Sequence, residues 1–176
     1  MVQKKNKKTK TEQIVDYKLA AAISDQIEIE NLRLVSCSCL QTPNAGKGVH
    51  SLEIDCDIKL EVDKKSNHIF VFPQFKLKAS PTEDNKKEPD LSIEATFVII
   101  YKAKSLKGLK NENFEAFGDT NGIYNAWPYW REFVQNTVAR MGLPPLTIPV
   151  FRLISAKTTK KKVKKKVKSK KSKKSK

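Results

Sequence analysis

The stretch SLEIDCDIKLEV (51–62) alternates apolar and polar residues without a break. Leu52, Ile54, Cys56, Ile58, Leu60 and Val62 are interleaved with Glu53, Asp55, Asp57, Lys59 and Glu61. Alternate residues of a strand face opposite sides, so this period of two predicts a strand with one buried and one wet face. IFVFPQFKLKA (69–79) is a second such strand, with Ile69, Val71, Phe75, Leu77 and Ala79 on one face and Lys76 and Lys78 on the other. Its Pro73 has no N–H to offer a neighbour, which predicts an edge or a bulge. LSIEATFVIIYKA (91–103) is a third, with Leu91, Ile93, Ala95, Phe97, Ile99 and Tyr101 in phase. Val98 and Ile100 make its second face apolar near the end, so that end is expected to be covered on both sides. An earlier strand over 27–40 changes phase, from Ile27 and Ile29 to Leu32, Leu34 and Leu40. Such a slip predicts a bulge or a bend. TPNAGKG (42–48), DKKSN (63–67) and SPTEDNKKEPD (80–90) carry turn residues and are too short for a crossover helix. The four strands are therefore expected to be antiparallel.

After KGLKNENF, a polar connection, the period becomes helical. Ile123, Trp127, Trp130, Val134, Val138 and Met141 step by three or four and form one stripe in NAWPYWREFVQNTVARMG and the residues just before it. Ala126, Phe133 and Thr137 widen it on one side. Asn125 is expected to cap this helix, which puts Pro128 in the first turn, where a missing N–H costs nothing. Gly142 is expected just past its end, followed by Pro144 and Pro145. The strip LPPLTIPVFRLI (143–154) reads as extended and apolar. A short helix is also expected near the start. Thr9 and Glu12 have capping-box spacing, and Ile14, Val15, Leu19, Ala22 and Ile23 recur at helical intervals. A four-stranded antiparallel sheet followed by one long amphipathic helix is an α+β layout. One helix covers part of such a face, and surplus apolar surface usually finds a partner.

Charge then divides the chain into three. Of the 35 basic residues, five lysines fall in residues 1–10 and thirteen in 157–176, and neither segment contains an acid. That leaves 17 basic and 19 acidic residues in 11–156, a net charge of −2. The expected organisation is a disordered basic arm (1–10), one domain (11–156) and a disordered lysine-rich tail (157–176). A domain of this length buries about 68–70% of its unfolded surface and needs no staples. Cys37, Cys39 and Cys56 are odd in number, and no apolar segment follows the basic start. Both points argue against secretion and a disulfide framework, so a cytoplasmic protein is expected. No run of 18 apolar residues provides a membrane span.

Candidate chemistry is sparse. His50 and His68 sit at loop ends, where a lone histidine is usually solvated. The three cysteines with His50 make a conceivable metal set, but the Cys-x2–4-Cys knuckle of structural zinc sites is absent, so small buried thiols are the better reading. No nucleophile elbow, P-loop or dinucleotide fingerprint occurs, and neither an enzyme nor a cofactor is expected. The lysine tail contains no aromatic residue for base stacking, so binding to polyanions through it would be non-specific.

The segment NAWPYWREFVQNTVARMGLPPL resembles the C-terminal helix and following loop of the SecB protein-export chaperone family. The resemblance rests on Asn125, Pro128, Tyr129, Arg131, Glu132, Arg140, Gly142, Pro144 and Leu146, with weaker support from Pro43-Asn44-Ala45 and from the sheet-then-helix order. It implies a four-stranded antiparallel sheet plus a long helix, assembled as a dimer of dimers. It also implies a nucleotide-independent holdase that keeps unfolded or nascent polypeptides in apolar grooves. Family members hand preproteins to the SecA motor, and one branch protects an antitoxin. The lysine tail departs from the acidic tail of the export members, which puts docking to SecA in question. Tyr129 and Phe133, beside the stripe, with Leu143, Leu146 and Ile148 of the strip, are the candidate client-binding residues. Two other readings stay open: a chaperone of an antitoxin, and a ribosome- or nucleic-acid-associated protein working through its lysines.

Overall fold

In the computed structural model the described residues are 12–15, 17–82 and 88–155. The basic arm, the lysine tail and Thr9 of the expected capping box lie outside them. Strand β1 (Glu12–Val15) and helix α1 (Tyr17–Ser24) precede four long strands, β2 (Ile27–Gln41), β3 (His50–Asp63), β4 (His68–Pro81) and β5 (Leu91–Ala103). Helix α2 (Asn111–Phe117), a π-helical turn (Gly118–Gly122), helix α3 (Ile123–Arg140) and strand β6 (Arg152–Ser155) follow.

The four long strands form one antiparallel sheet in the order β2-β5-β4-β3. Strands β3, β4 and β5 form a meander, and the loop over 42–49 carries the chain from β2 at one edge to β3 at the other. Strands β3 and β4 stay in one register from His50↔Pro81 to Asp63↔His68. The expected slip in β2 is present, and it occurs twice, between Ile29 and Asn31 and between Leu34 and Ser36. The second slip overturns one expectation. Leu34 pairs with Phe97 on the helix-covered face, but Leu40 pairs with Ser92 on the other face and is 68% exposed. Cys37 and Cys39, opposite Ala95 and Ile93, take the inner positions instead.

Pro73 is neither at an edge nor at a bulge, because β4 is a central strand. It pairs with Ile58 on the β3 side, while pairing with β5 lapses between Val71↔Ile99 and Gln74↔Thr96 and resumes in unchanged register. A two-residue gap in one ladder accommodates the missing N–H without displacing the strand. On the second face of β5, Val98 is buried and Ile100 partly so.

The segment read as an N-terminal helix divides in two. Glu12–Val15 forms a strand paired in parallel with Arg152–Ser155, and the helix begins at Tyr17. A pairing partner 140 residues away outweighs the local spacing. The polar connection before the long helix is itself helical. Phe114 and Phe117 of α2 are buried, and Asn113 Oδ1 accepts the Lys110 N–H at 3.0 Å. One helical run thus extends from Asn111 to Arg140, and Asn125 lies inside it, not at a cap. Its Nδ2 donates instead to the Tyr101 hydroxyl at 2.9 Å. Pro128 is likewise internal. A proline there removes one bond and crowds the carbonyl of Tyr124, which sits on an exposed side of the helix where water can reach it.

The π turn lets the run meet the sheet. A Cβ on Gly122 would lie 2.6 Å from Val71 Cγ1, and one on Gly118 3.1 Å from Leu60 Cδ1. Hydrogens at these two positions therefore allow the backbone to rest on β3 and β4. Ile123, Trp127, Trp130, Val134 and Val138 are buried, and Met141 packs at the core's margin. Phe75 is the hub of the core. It stacks on Trp130 with centroids 5.3 Å apart and meets Trp127 and Phe97 edge-on at 5.6 and 6.1 Å. Gly142, at φ 72°, ends the helix with the Leu143 N–H on Val138 O and the Gly142 N–H on Ala139 O, both at 3.1 Å. This is the Schellman arrangement its position implies.

Candidate functional site

Past Gly142 the strip turns back along α3 and is tied to it by two side chains. Arg131 Nε donates to Ile148 O and Trp127 Nε1 to Pro149 O, both at 2.9 Å. Phe151 then packs on Trp127 with ring centroids 5.2 Å apart. The backbone of an extended segment needs partners, and these two donors from one flank of the helix fix its path.

Beside the start of this strip lies an apolar cleft of about 250 Å³. Leu143, Pro144, Pro145 and Leu146 form one wall. The loop residues Ala45, Gly46 and Gly48 form the other, and Leu52, Ala79, Leu91 and Val138 form the floor. Gly46 has φ 79°, and a Cβ on it would lie 3.1 Å from Leu143 Cδ2, so only glycine lets the loop approach this closely. The cleft has one polar corner. Asp90 accepts from the Thr42 hydroxyl at 2.6 Å and contacts His50 Nε2 at 3.0 Å. The His50 and Asp90 side chains are 13% and 11% exposed, so His50 is not the solvated residue expected. A carboxylate in such a site needs partners, and these two also anchor the loop to the start of β5.

A second apolar surface lies on the opposite flank of α3. Phe133 meets Phe97 edge-on at 6.4 Å, and Phe97 pairs with Leu34 of β2. Beyond that contact the helix leaves the inner face of β2 open. Ile29 is 50% exposed and Leu34 41%, with Leu32 partly buried between them. Tyr129, one turn before Phe133 on the same flank, is 51% exposed. Strand β2 is also a sheet edge, with backbone groups available along fifteen residues.

The five candidate client residues therefore fall in three places. Leu143 and Leu146 line the cleft, Tyr129 and Phe133 border the open valley, and Ile148, within the strip, is buried in the core. Missed from sequence were Ile29 and Leu34 as exposed residues and the loop wall Ala45–Gly46. The edge position of β2 explains the first, and no local pattern signals it. The two glycines of TPNAGKG were a usable signal for the second. Of the motif residues, Arg131 and Gly142 hold the strip, Asn125 holds Tyr101, and Glu132 accepts from Asn136. Arg140 is exposed in the last turn.

Burial pushes the Tyr101 phenol up to about 12, against the opposing hydrogen bond from Asn125. The Cys39 thiol is raised by burial and then by Cys37 beside it. Only Cys56 is a buried thiol, and Cys37 is exposed, because β2 ends the sheet. Among the described residues no three His, Cys, Asp or Glu side chains gather as a metal set. No described helix is long and apolar enough to cross a membrane.

A four-stranded antiparallel sheet with a long C-terminal helix across one face defines the SecB-like fold. A solved structure with this fold, the Mycobacterium tuberculosis Rv1957 SecB-like chaperone in complex with a ChAD peptide from the Rv1956 HigA1 antitoxin, superposes with a TM-score of 0.66. The two chains are 19% identical over 77% of this chain and 94% of that one. No family model and no curated protein matches the sequence.

Proposed function

We propose that the protein is an ATP-independent holdase chaperone that binds unfolded polypeptides on apolar surface. The observation that carries this reading is the open inner face of β2 beside Phe133 and Tyr129, on a fold shared with a SecB-like chaperone. A surface serving many clients needs apolar area with few fixed hydrogen bonds, and an edge strand adds backbone pairing. Each large side chain buried against it contributes about 1.5–3 kcal/mol, so tight holding requires several at once. In this reading Tyr129, Phe133, Leu143 and Leu146 contact the client, together with Ile29 and Leu34.

Two client classes follow. One is an export precursor delivered to a translocation motor such as SecA. The other is an antitoxin, favoured by the antitoxin peptide bound to the neighbouring structure. A cytoplasmic homotetramer is part of the same reading, since a second copy laid on α3 would cover the valley's rim. The lysine arms supply non-specific attraction for polyanions near nascent chains.

The test is aggregation of a chemically denatured client, followed by light scattering without ATP. Suppression at stoichiometric chaperone is expected. Unchanged aggregation at a molar excess would sink the proposal. Clients captured from the native host distinguish export precursors from an antitoxin.

A further inference from the structure

The opposite edge of the sheet carries a larger cleft, of about 490 Å³. Ile58, Leu60 and Val62 of β3 form one wall, Glu115 and Asp119 of the helical run the other, with Phe114 between them. The wall residues follow two different periods that run side by side. The aliphatic row repeats every second residue of a strand, and Glu115 and Asp119 repeat every fourth residue of a helix. Strand β3 ends the sheet here, so one row of its backbone groups faces outward. On its other face the same edge carries Asp55, Asp57, Glu61 and Asp63 with the single cation Lys59. The edge thus offers backbone pairing, an apolar and carboxylate inner side, and an acidic outer side.

We propose that this edge receives the chain's own lysine-rich segment, 157–176, as a fifth strand of the sheet. The residue pattern of that segment matches both sides. As an extended chain, 160–170 places Lys160, Lys162, Lys164, Lys166, Lys168 and Lys170 on one face. The other face carries Val163, Lys165 and Val167, flanked by Lys161 and Ser169. The all-lysine face meets the acidic outer side of β3. The Val-Lys-Val face meets the aliphatic row, with Lys165 directed to Glu115 and Asp119. Opposite charges facing one another across neighbouring strands are favourable, and strand addition at an edge is a common way to bind an extended segment.

The chain reaches this place in cis. Ser155 pairs with Val15, two residues before α1, and α1 is joined to α2 by the Asn113 Nδ2 bond to Leu19 O at 3.1 Å. The segment therefore sets out beside the helix that walls the cleft. The eight residues from Ser155 to Val163 span up to roughly 26 Å when extended. The inference is independent of the chaperone reading.

Amide hydrogen exchange of the full chain tests it, read at residues 57–63. In low salt, exchange there is expected to be at least about tenfold slower in the native chain than in the Val163→Asp/Val167→Asp variant. Glu115→Lys, on an exposed helical position, should remove the same protection by reversing the charge of the wall. The difference should also vanish in 0.5 M salt, as screening predicts. Equal exchange in native and variant chains overturns the proposal. So does protection that disappears on tenfold dilution, because that assigns the added strand to a second copy. Protection that depends on added RNA also overturns it, because the tail is then held elsewhere.

Discussion

The two edge strands of the sheet have the same inward chemistry and opposite fates. Strand β3 is buried on its inner face at Ile54 and Cys56 and half-buried at Ile58, Leu60 and Val62, where the π turn rests on it, and its register with β4 is unbroken over fourteen residues. Strand β2 lies beyond the helix, slips register twice, and leaves Ile29 and Leu34 half exposed. Both strands carry an aliphatic inner row, so composition does not separate them. What separates them is the position of α3, which is set by the contact of Gly118 and Gly122 with β3 and β4. A helix about 10 Å wide cannot cover four strands spaced about 4.8 Å apart. The uncovered strand is then available for a partner.

The largest test of this contrast is Trp130→Ala. It removes a fully buried ring from the hub around Phe75 and should cost about 3–5 kcal/mol in denaturant unfolding. A loss below about 1 kcal/mol would mean that α3 does not pack as described. Next is Gly122→Ala. The backbone there is ordinary helix, at φ −60°, so strain is steric alone, against Val71. A cost of about 1–3 kcal/mol is expected by the same measurement. An unchanged midpoint would show that the helix does not rest on the sheet at that turn.

A pH experiment probes the covered side at similar size. Tyr101 has a folded pKa raised to about 12 from an ordinary 10. Its neutral form is thus favoured by folding. The stability this contributes is complete below pH 10 and is lost as pH rises toward 12. The native protein should therefore lose up to about 2 kcal/mol more than Tyr101→Phe between pH 10 and 12. Parallel pH profiles for the two proteins would contradict burial of that hydroxyl.

The smallest stability effect belongs to β2. Ile29→Asp with Leu34→Asp should cost about 1.5 kcal/mol of unfolding free energy, since about half of each side chain is already in water. The same variant should lose client holding and self-association, read by light scattering. A stability loss above about 2 kcal/mol with holding intact would place the valley in the subunit's own core.

Most of the sheet is legible in the sequence. Leu52 through Val62, Ile69 through Ala79 and Leu91 through Tyr101 announce three strands because one face is buried and one is wet, a contrast that composition records directly. The helix stripe from Trp127 to Val138 was legible for the same reason. The errors lie where a distant partner overrides the local pattern. Ile14 and Val15 fit a helix until β6 is there to pair with them. Asn125 fits a cap until Tyr101 takes its amide, and KGLKNENF fits a loop until Phe114 sits beside β3 and Phe117 meets Tyr101 of β5. The candidate site was half legible. Leu143 and Leu146, two of the candidate client residues, line the cleft, but the loop wall that completes it comes from nearly 100 residues earlier.

The alternation of apolar and charged residues dictated how many long strands form and which face of each turns inward, because that choice depends on neighbours two residues apart. The order β2-β5-β4-β3 depends on contacts between residues as far apart in the chain as Ile27 and Ala103. So do the placement of the π turn over β3 and β4, that of α3 over β4 and β5, and the exposure of β2. These follow from how closely Gly118 and Gly122 let the helix approach the sheet and from the width the helix leaves uncovered.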